Sequence, residues 1–177
     1  MKKVLFLAFV AFLAVAPCAF AAPTATSNVQ VTVASEAALI SATDVTLTST
    51  PGNFVDYTGG PNTITYMVRT ANNGAITMQV KNDFSPVGGP SVATPPTSGD
   101  ALTYTVSAST PAAGTATAAT GSVTAKVGQD TNVYTFGTNT SSAKTGSTGG
   151  VSFMLSNDPL YKVGTYTAVV QWTISAT

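Results

Sequence analysis

The sequence predicts an all-β fold, an antiparallel sandwich of about eight or nine strands. Apolar residues recur at every second position in run after run, and no stretch carries the period of an amphipathic helix. The gaps between the runs are rich in Gly, Pro, Asn and Ser, the residues of turns. Such regular alternation also argues against disorder, despite the abundance of Thr, Ser, Ala and Gly.

Residues 1–21 stand apart from the fold. Lys2 and Lys3 form a basic start, Val4 to Ala16 is apolar, and Ala19-Phe20-Ala21 supplies small residues at both recognition positions of a signal peptidase. The expectation is a secretory signal peptide cut after Ala21, and a mature protein exported to the periplasm, the cell surface or the medium. The apolar run is shorter than the ~20 residues of a membrane span, so no membrane association is expected after cleavage. Pro17 stands where a lipid-attachment site at Cys18 has a small residue, which argues against lipidation. Removing residues 1–21 from the 177 leaves 156, enough for one domain with its own core, residues 22–177. Lys2, Lys3 and Cys18 go with the leader, leaving five basic residues against seven acidic, with no Cys and no His. An exported chain without Cys has no disulfide, so apolar burial and backbone hydrogen bonds must hold it together. Its weak negative charge gives no footprint for nucleic acid.

Along the mature chain the strands follow in order. "NVQVTVA" at 28–34 places Val29, Val31 and Val33 on one side and Gln30 and Thr32 on the other. A second run, "ALISATDVTLT" at 38–48, centres on Val45 and Leu47 and ends at the turn "STPGN". Ile64, Tyr66 and Val68 alternate, then Asn72-Asn73-Gly74 supplies residues tolerant of positive φ, then Ile76, Met78 and Val80 alternate again, which predicts a hairpin. Residues 83–100 hold too much Pro and Gly for a central strand and are read as a long loop. Further strands are expected near Leu102–Val106, Ser122–Val127 and Val133–Phe136. The segment 137–150 is read as flexible, and Val151, Phe153 and Leu155 as a strand. The last run, "GTYTAVVQWTISAT" at 164–177, is the most regular: Tyr166, Ala168, Val170, Trp172 and Ile174 share one face, with Thr165, Thr167, Val169, Gln171, Thr173 and Ser175 on the other. Parity makes the first set, with the chain's one Trp, a core face.

Catalytic chemistry is hard to build from what remains. Without His there is no Ser-His-Asp arrangement, and without His or mature Cys no zinc site. The acids Glu36, Asp44, Asp56, Asp83, Asp100, Asp130 and Asp158 are scattered, with no spacing that points to a paired-carboxylate glycosidase. Asp130 and Asn132 in "GQDTN" could ligate Ca²⁺, but a turn uses the same residues and further oxygen ligands are missing. No cofactor is expected. Tyr57, Tyr134 and Tyr161, nearer to loops than Trp172, are candidate platforms for a sugar.

Taken together, the leader, "SNVQVTVAS", "ITYMVRTANNGAITMQV" and the ending "GTYTAVVQWTISAT" resemble the secreted immunoglobulin-like sandwiches of bacterial fimbrial subunits. "WTIS" is also similar to the terminal motif of WxL cell-wall-associated proteins, with Ile174 in place of Leu and no second motif. There is no disulfide pair, as many pilins have, and no LPxTG-type sorting signal. The resemblance implies a structural or adhesive role, and assembly by strand addition, in which a groove beside the last strand accepts an alternating segment from another subunit. Val29, Val31 and Val33 have the pattern of such a donor. They equally have the pattern of the first strand of their own domain, the reading that alternation alone favours. The partner is then a second copy or another surface subunit. The rival function is a secreted module that binds glycans as a monomer.

Overall fold

The computed structural model describes residues 27–177, so the predicted signal peptide lies outside the described residues. Contacts gather Val33–Thr177 into one compact sandwich unit. It is built from β1 (Glu36–Ala42), β2 (Tyr57–Thr70), β3 (Gly74–Ser85), β4 (Leu102–Val106), β5 (Ala116–Ala118), β6 (Val123–Thr124), β7 (Thr131–Phe136), β8 (Thr140–Ser141), β9 (Ser147–Leu155) and β10 (Thr167–Ala176). One sheet runs β1-β2-β9-β4-β6, with β8 against β2, and the other runs β10-β3-β7-β5. All pairings between these strands are antiparallel. The order β1-β2-β9-β4 repeats A-B-E-D of an immunoglobulin-type sheet, and β10 beside β3 repeats F beside C.

The inner faces meet as the alternation requires. Ile64, Tyr66 and Val68 point inward from β2, Ile76, Met78 and Val80 from β3, and Val151, Phe153 and Leu155 from β9, all buried. The Tyr66 ring lies 5.3 Å from Phe136 and 6.2 Å from Tyr134, centroid to centroid, in tilted contact. Each buried phenol has a partner. Tyr66 Oη lies 2.7 Å from Ser109 Oγ, Tyr104 donates to the Asn132 carbonyl at 2.8 Å, and Tyr134 donates to the Ser107 carbonyl at 2.6 Å. Burial raises all three phenols above their ordinary pKa, against the opposing pull of the Ser109 hydroxyl on Tyr66, the Thr131 hydroxyl on Tyr104 and the Ser107 hydroxyl on Tyr134. A register shift in the β3–β7 ladder sets Ile76 opposite Tyr134 and Thr77 opposite Asn132, so Val133 is the extra residue of a bulge. The bulge turns two consecutive side chains, Val133 and Tyr134, into the core. Gly149 lies directly under the Tyr134 ring, where any Cβ would collide with the phenol.

Four expectations need correction. The two runs around Asn72-Asn73-Gly74 do not pair as a hairpin: β2 and β3 lie in different sheets. Both runs bury one whole face, and two such faces are served by opposing each other across the core rather than lying side by side. The turn is closed by the last residue instead, with Asn72 N–H donating to the Thr177 carbonyl and Thr177 N–H to Asn73. Second, residues 28–34 form no strand, and β1 begins only at Glu36. Third, the run at 38–48 is a strand only in its first part, where β1 ends at Ala42, and its centre, Val45 and Leu47, packs against the core from outside the strands. Fourth, 137–150 contains β8 and the start of β9, with Thr140 and Ser147 buried. Its Gly and Thr content is used for close packing there.

The 83–100 segment is irregular beyond β3, as expected, but it is tethered. Asp83 Oδ1 accepts from the N–H groups of Phe84 and Val92 at 2.8 and 2.7 Å, and Oδ2 from Ser91 Oγ and Ala93 N–H at 2.7 and 3.1 Å. Partial burial alone would raise the Asp83 pKa, but the Ser91 hydroxyl and the three N–H donors outweigh it and lower it. A carboxyl depressed in the folded state contributes stability above its unfolded pKa of ~3.9 and loses it as pH falls through the folded value. Asp83→Asn, which cannot accept at both oxygens, is expected to open 86–100 to protease at neutral pH. The wild type should reach the same sensitivity only in acid. Limited proteolysis read by mass spectrometry checks this, and unchanged cleavage of the variant would contradict it.

Candidate functional site: the open edge of the last strand

β10 pairs along one side only, with β3, setting Val170 opposite Val80, Trp172 opposite Met78 and Ile174 opposite Ile76. Ala168, Val170, Trp172 and Ile174 turn toward the core and pack against it, while Thr167, Val169, Gln171, Thr173 and Ser175 face water, so the predicted parity holds over the strand. On the wet face, Gln79 Nε2 donates to Gln171 Oε1 at 3.1 Å. Tyr166 departs from the expectation. It precedes β10, donates its hydroxyl to the Lys162 carbonyl at 2.7 Å, and covers Gly89 in the loop.

Trp172 faces the core but is only half-buried. The cause is the position of β10 at the end of its sheet, facing β1 at the end of the other. Between these two edges lies a groove of about 530 Å³. Leu39, Ile40 and Ala42 of β1 form one wall, and Val169, Val170 and Trp172 of β10 the other, with Lys81 as the one charged residue. Among the described residues no strand pairs with the far side of β10. In the immunoglobulin-type order this is the place of strand G, next to F. Because the groove leaves part of the indole uncovered, Trp172→Ala is expected to cost the isolated subunit only about 1–2 kcal/mol, below the range for fully buried aromatic side chains. Urea denaturation measures it, and a loss as large as that for a core Phe would contradict the half-open groove.

Val29, Val31 and Val33, apolar residues, are 97 %, 81 % and 61 % exposed. The segment 24–34 that holds them carries no charge.

The remaining candidates are not assembled into a site. Tyr134 is fully buried in the core and offers no sugar platform. Tyr57 and Tyr161 are half-buried, and Tyr161 donates to the Ser156 carbonyl at 3.1 Å. Asp130 is exposed in a turn, and Asn132 bonds Thr135 on its own strand at 3.2 Å, as turn and strand chemistry explain. A second hollow of about 650 Å³ lies against the outer face of the first sheet, lined by hydroxyls such as Thr48, Thr58, Thr103 and Ser152. The Tyr104 and Phe153 rings beside it are buried, so no aromatic face is free to stack on a sugar there. What sequence reasoning missed is the approach of Asp100 to Asp158, acids 58 positions apart in sequence that the sheet register brings together.

No family model, curated protein or solved structure matches this chain.

Proposed function

We propose that this chain is an exported, non-catalytic structural subunit of a bacterial surface filament, assembled by strand addition. Residues 28–34 of one copy fill the groove between β1 and β10 of the next. The observation that carries this reading is the pairing of opposites within one molecule: a strand edge with an apolar groove beside it, and an uncovered, alternating, uncharged segment. Seven residues extend ~23 Å as a strand, matching most of the length of β10. Laid along β10, Val29, Val31 and Val33 enter the groove beside Val170 and Trp172, and Gln30 and Thr32 join the wet row of Gln171 and Thr173. Main-chain hydrogen bonds then satisfy the free edge, and the valines cover the indole. Export is supported by the basic and apolar leader.

The purified mature protein should show a ladder of high-mass species that grows with concentration, and threads by electron microscopy. A monodisperse monomer at high concentration that binds polysaccharide favours the rival module instead.

A further inference from the structure

The large apolar residues that the sandwich leaves bare are gathered at one end. From Glu36 onward, among the described residues, those more than half exposed are Phe54, Val55, Val87, Leu160 and Val163. Phe54 and Val55 precede β2, Val87 follows β3, and Leu160 and Val163 lie between β9 and β10. The ladders bring these connections together, because Tyr57 lies opposite Leu155 and Ser85 opposite Thr167. Hydrogen bonds tie them. Asn157 Nδ2 donates to the Val55 carbonyl at 3.0 Å, Asn157 N–H to Asp56 Oδ1 at 3.2 Å, and Lys162 N–H to the Gly88 carbonyl at 2.9 Å. Val87 and Val163 thus stand out from adjoining turns, Val87 with 94 % of its surface exposed. Bare apolar side chains gathered in this way mark a surface that is covered in use.

The N-terminal segment leaves the sandwich at the opposite end. Glu36 lies opposite Arg69, and Arg69 Nε donates to the Ala34 carbonyl, next to the connection from β2 to β3. A row of copies grows only where each gives its segment at one end and receives another at the other end. Giving and receiving at the same end closes two copies into a pair. The received segment therefore enters the groove from the start of β10, near Thr167. Between Val33 in that groove and Glu36 in its own sheet stand only Ala34 and Ser35, a reach of about 10 Å. The two sandwiches must then touch, and the receiving copy meets the contact with its apolar end.

Resting on the strand-addition reading, we infer that this end is a second interface of the filament, docked on the β2–β3 end of the copy whose segment the groove has received. The occupant is another copy of this chain. The end it meets offers small exposed residues, Ala71 in the β2–β3 connection and Ala113 beside β8, on which the apolar side chains rest. The contact takes them out of water while the valines of the segment fill the groove. With so short a link between segment and sandwich, it also fixes the angle between successive copies.

The test is the double variant Val87→Asp, Val163→Asp of the mature protein. Both positions are exposed, so at dilute, monomeric concentration it should melt with the wild type. Its high-mass ladder should need about tenfold more protein to appear, because each carboxylate would enter the contact unpaired. Thr124→Asp, on an exposed residue of β6, should assemble as the wild type does. A free peptide spanning Thr24–Ser35 should raise the melting temperature of dilute wild type and double variant alike, since the groove is unchanged. If the double variant melts lower on its own, Val87→Ser with Val163→Ser replaces it, with a shift of about threefold or more. Assembly of the variant at the wild-type concentration, with the peptide still bound, overturns this inference and leaves strand addition standing. The same result with binding to phosphatidylcholine vesicles lost overturns it in favour of a lipid surface. A peptide that shifts neither protein overturns strand addition, and this inference with it.

Discussion

Phe136→Ala is expected to lower the unfolding free energy by about 3–5 kcal/mol, the range for truncating a fully buried aromatic side chain. Phe136 has no exposed surface and packs against the Tyr66 ring, whose centroid is 5.3 Å away. It sits on β7 opposite Gly74 of β3 and Ala116 of β5, two small neighbours with no side chain long enough to fill the space it leaves. Tyr66 is held through Ser109, whose Oγ in turn donates to the Thr148 carbonyl at 2.6 Å, so the ring beside the cavity is not free to collapse into it. Poor relaxation places the cost at the upper end of the range. Val169→Ala, at an exposed position on the wet face of β10, should change stability by less than about 0.5 kcal/mol. Urea denaturation of both variants checks the pair, and a Phe136→Ala loss under about 1 kcal/mol would contradict the assigned core.

The second large effect is on assembly. Deleting residues 22–35 is expected to leave the ten strands intact and to abolish polymerisation. Every pairing in both sheets begins at or after Glu36. Of the described part of the deleted stretch, the sandwich loses the Arg69 Nε hydrogen bond to the Ala34 carbonyl, 3.0 Å long and exposed. The Arg69–Glu36 ion pair at 2.9 Å remains, and as an exposed pair it is worth ~0–1 kcal/mol. Had 28–34 been the first strand of its own sandwich, its loss would open the core.

The sequence made the fold class legible because a period of two survives wherever one face is buried. In β10 that pattern named the inward residues from Ala168 to Ile174 correctly, and only Tyr166, beyond the strand end, was misplaced. Alternation does not say which strand lies beside which. Ile64–Val68 and Ile76–Val80 read as a hairpin around Asn72-Asn73-Gly74, but the same pattern fits two strands facing each other across a core, and only the ladders distinguish the cases. Composition misled at 137–150, where Gly149 allows the Tyr134 ring to approach and Thr140 is buried as a hydrogen-bonding hydroxyl between Gly137 and Thr115. Asp100 and Asp158 were invisible as a pair, since their meeting depends on the β4–β9 register, which sets Leu102 opposite Leu155. The half-open position of Trp172 was hidden for a similar reason. Parity gives the face of a strand, not its place in the sheet order.

The most direct test of strand addition is the melting temperature of the protein lacking residues 22–35, with and without a synthetic peptide spanning Thr24–Ser35. The peptide should raise the midpoint in a concentration-dependent way, by mass action on a native-state groove, while the protein stays monomeric. A peptide with Val31 replaced by Lys should have no effect, because the charge would enter the apolar wall formed by Val170 and Trp172. A truncated protein that is unfolded, or one whose midpoint ignores the native peptide at saturating concentration, would contradict the account.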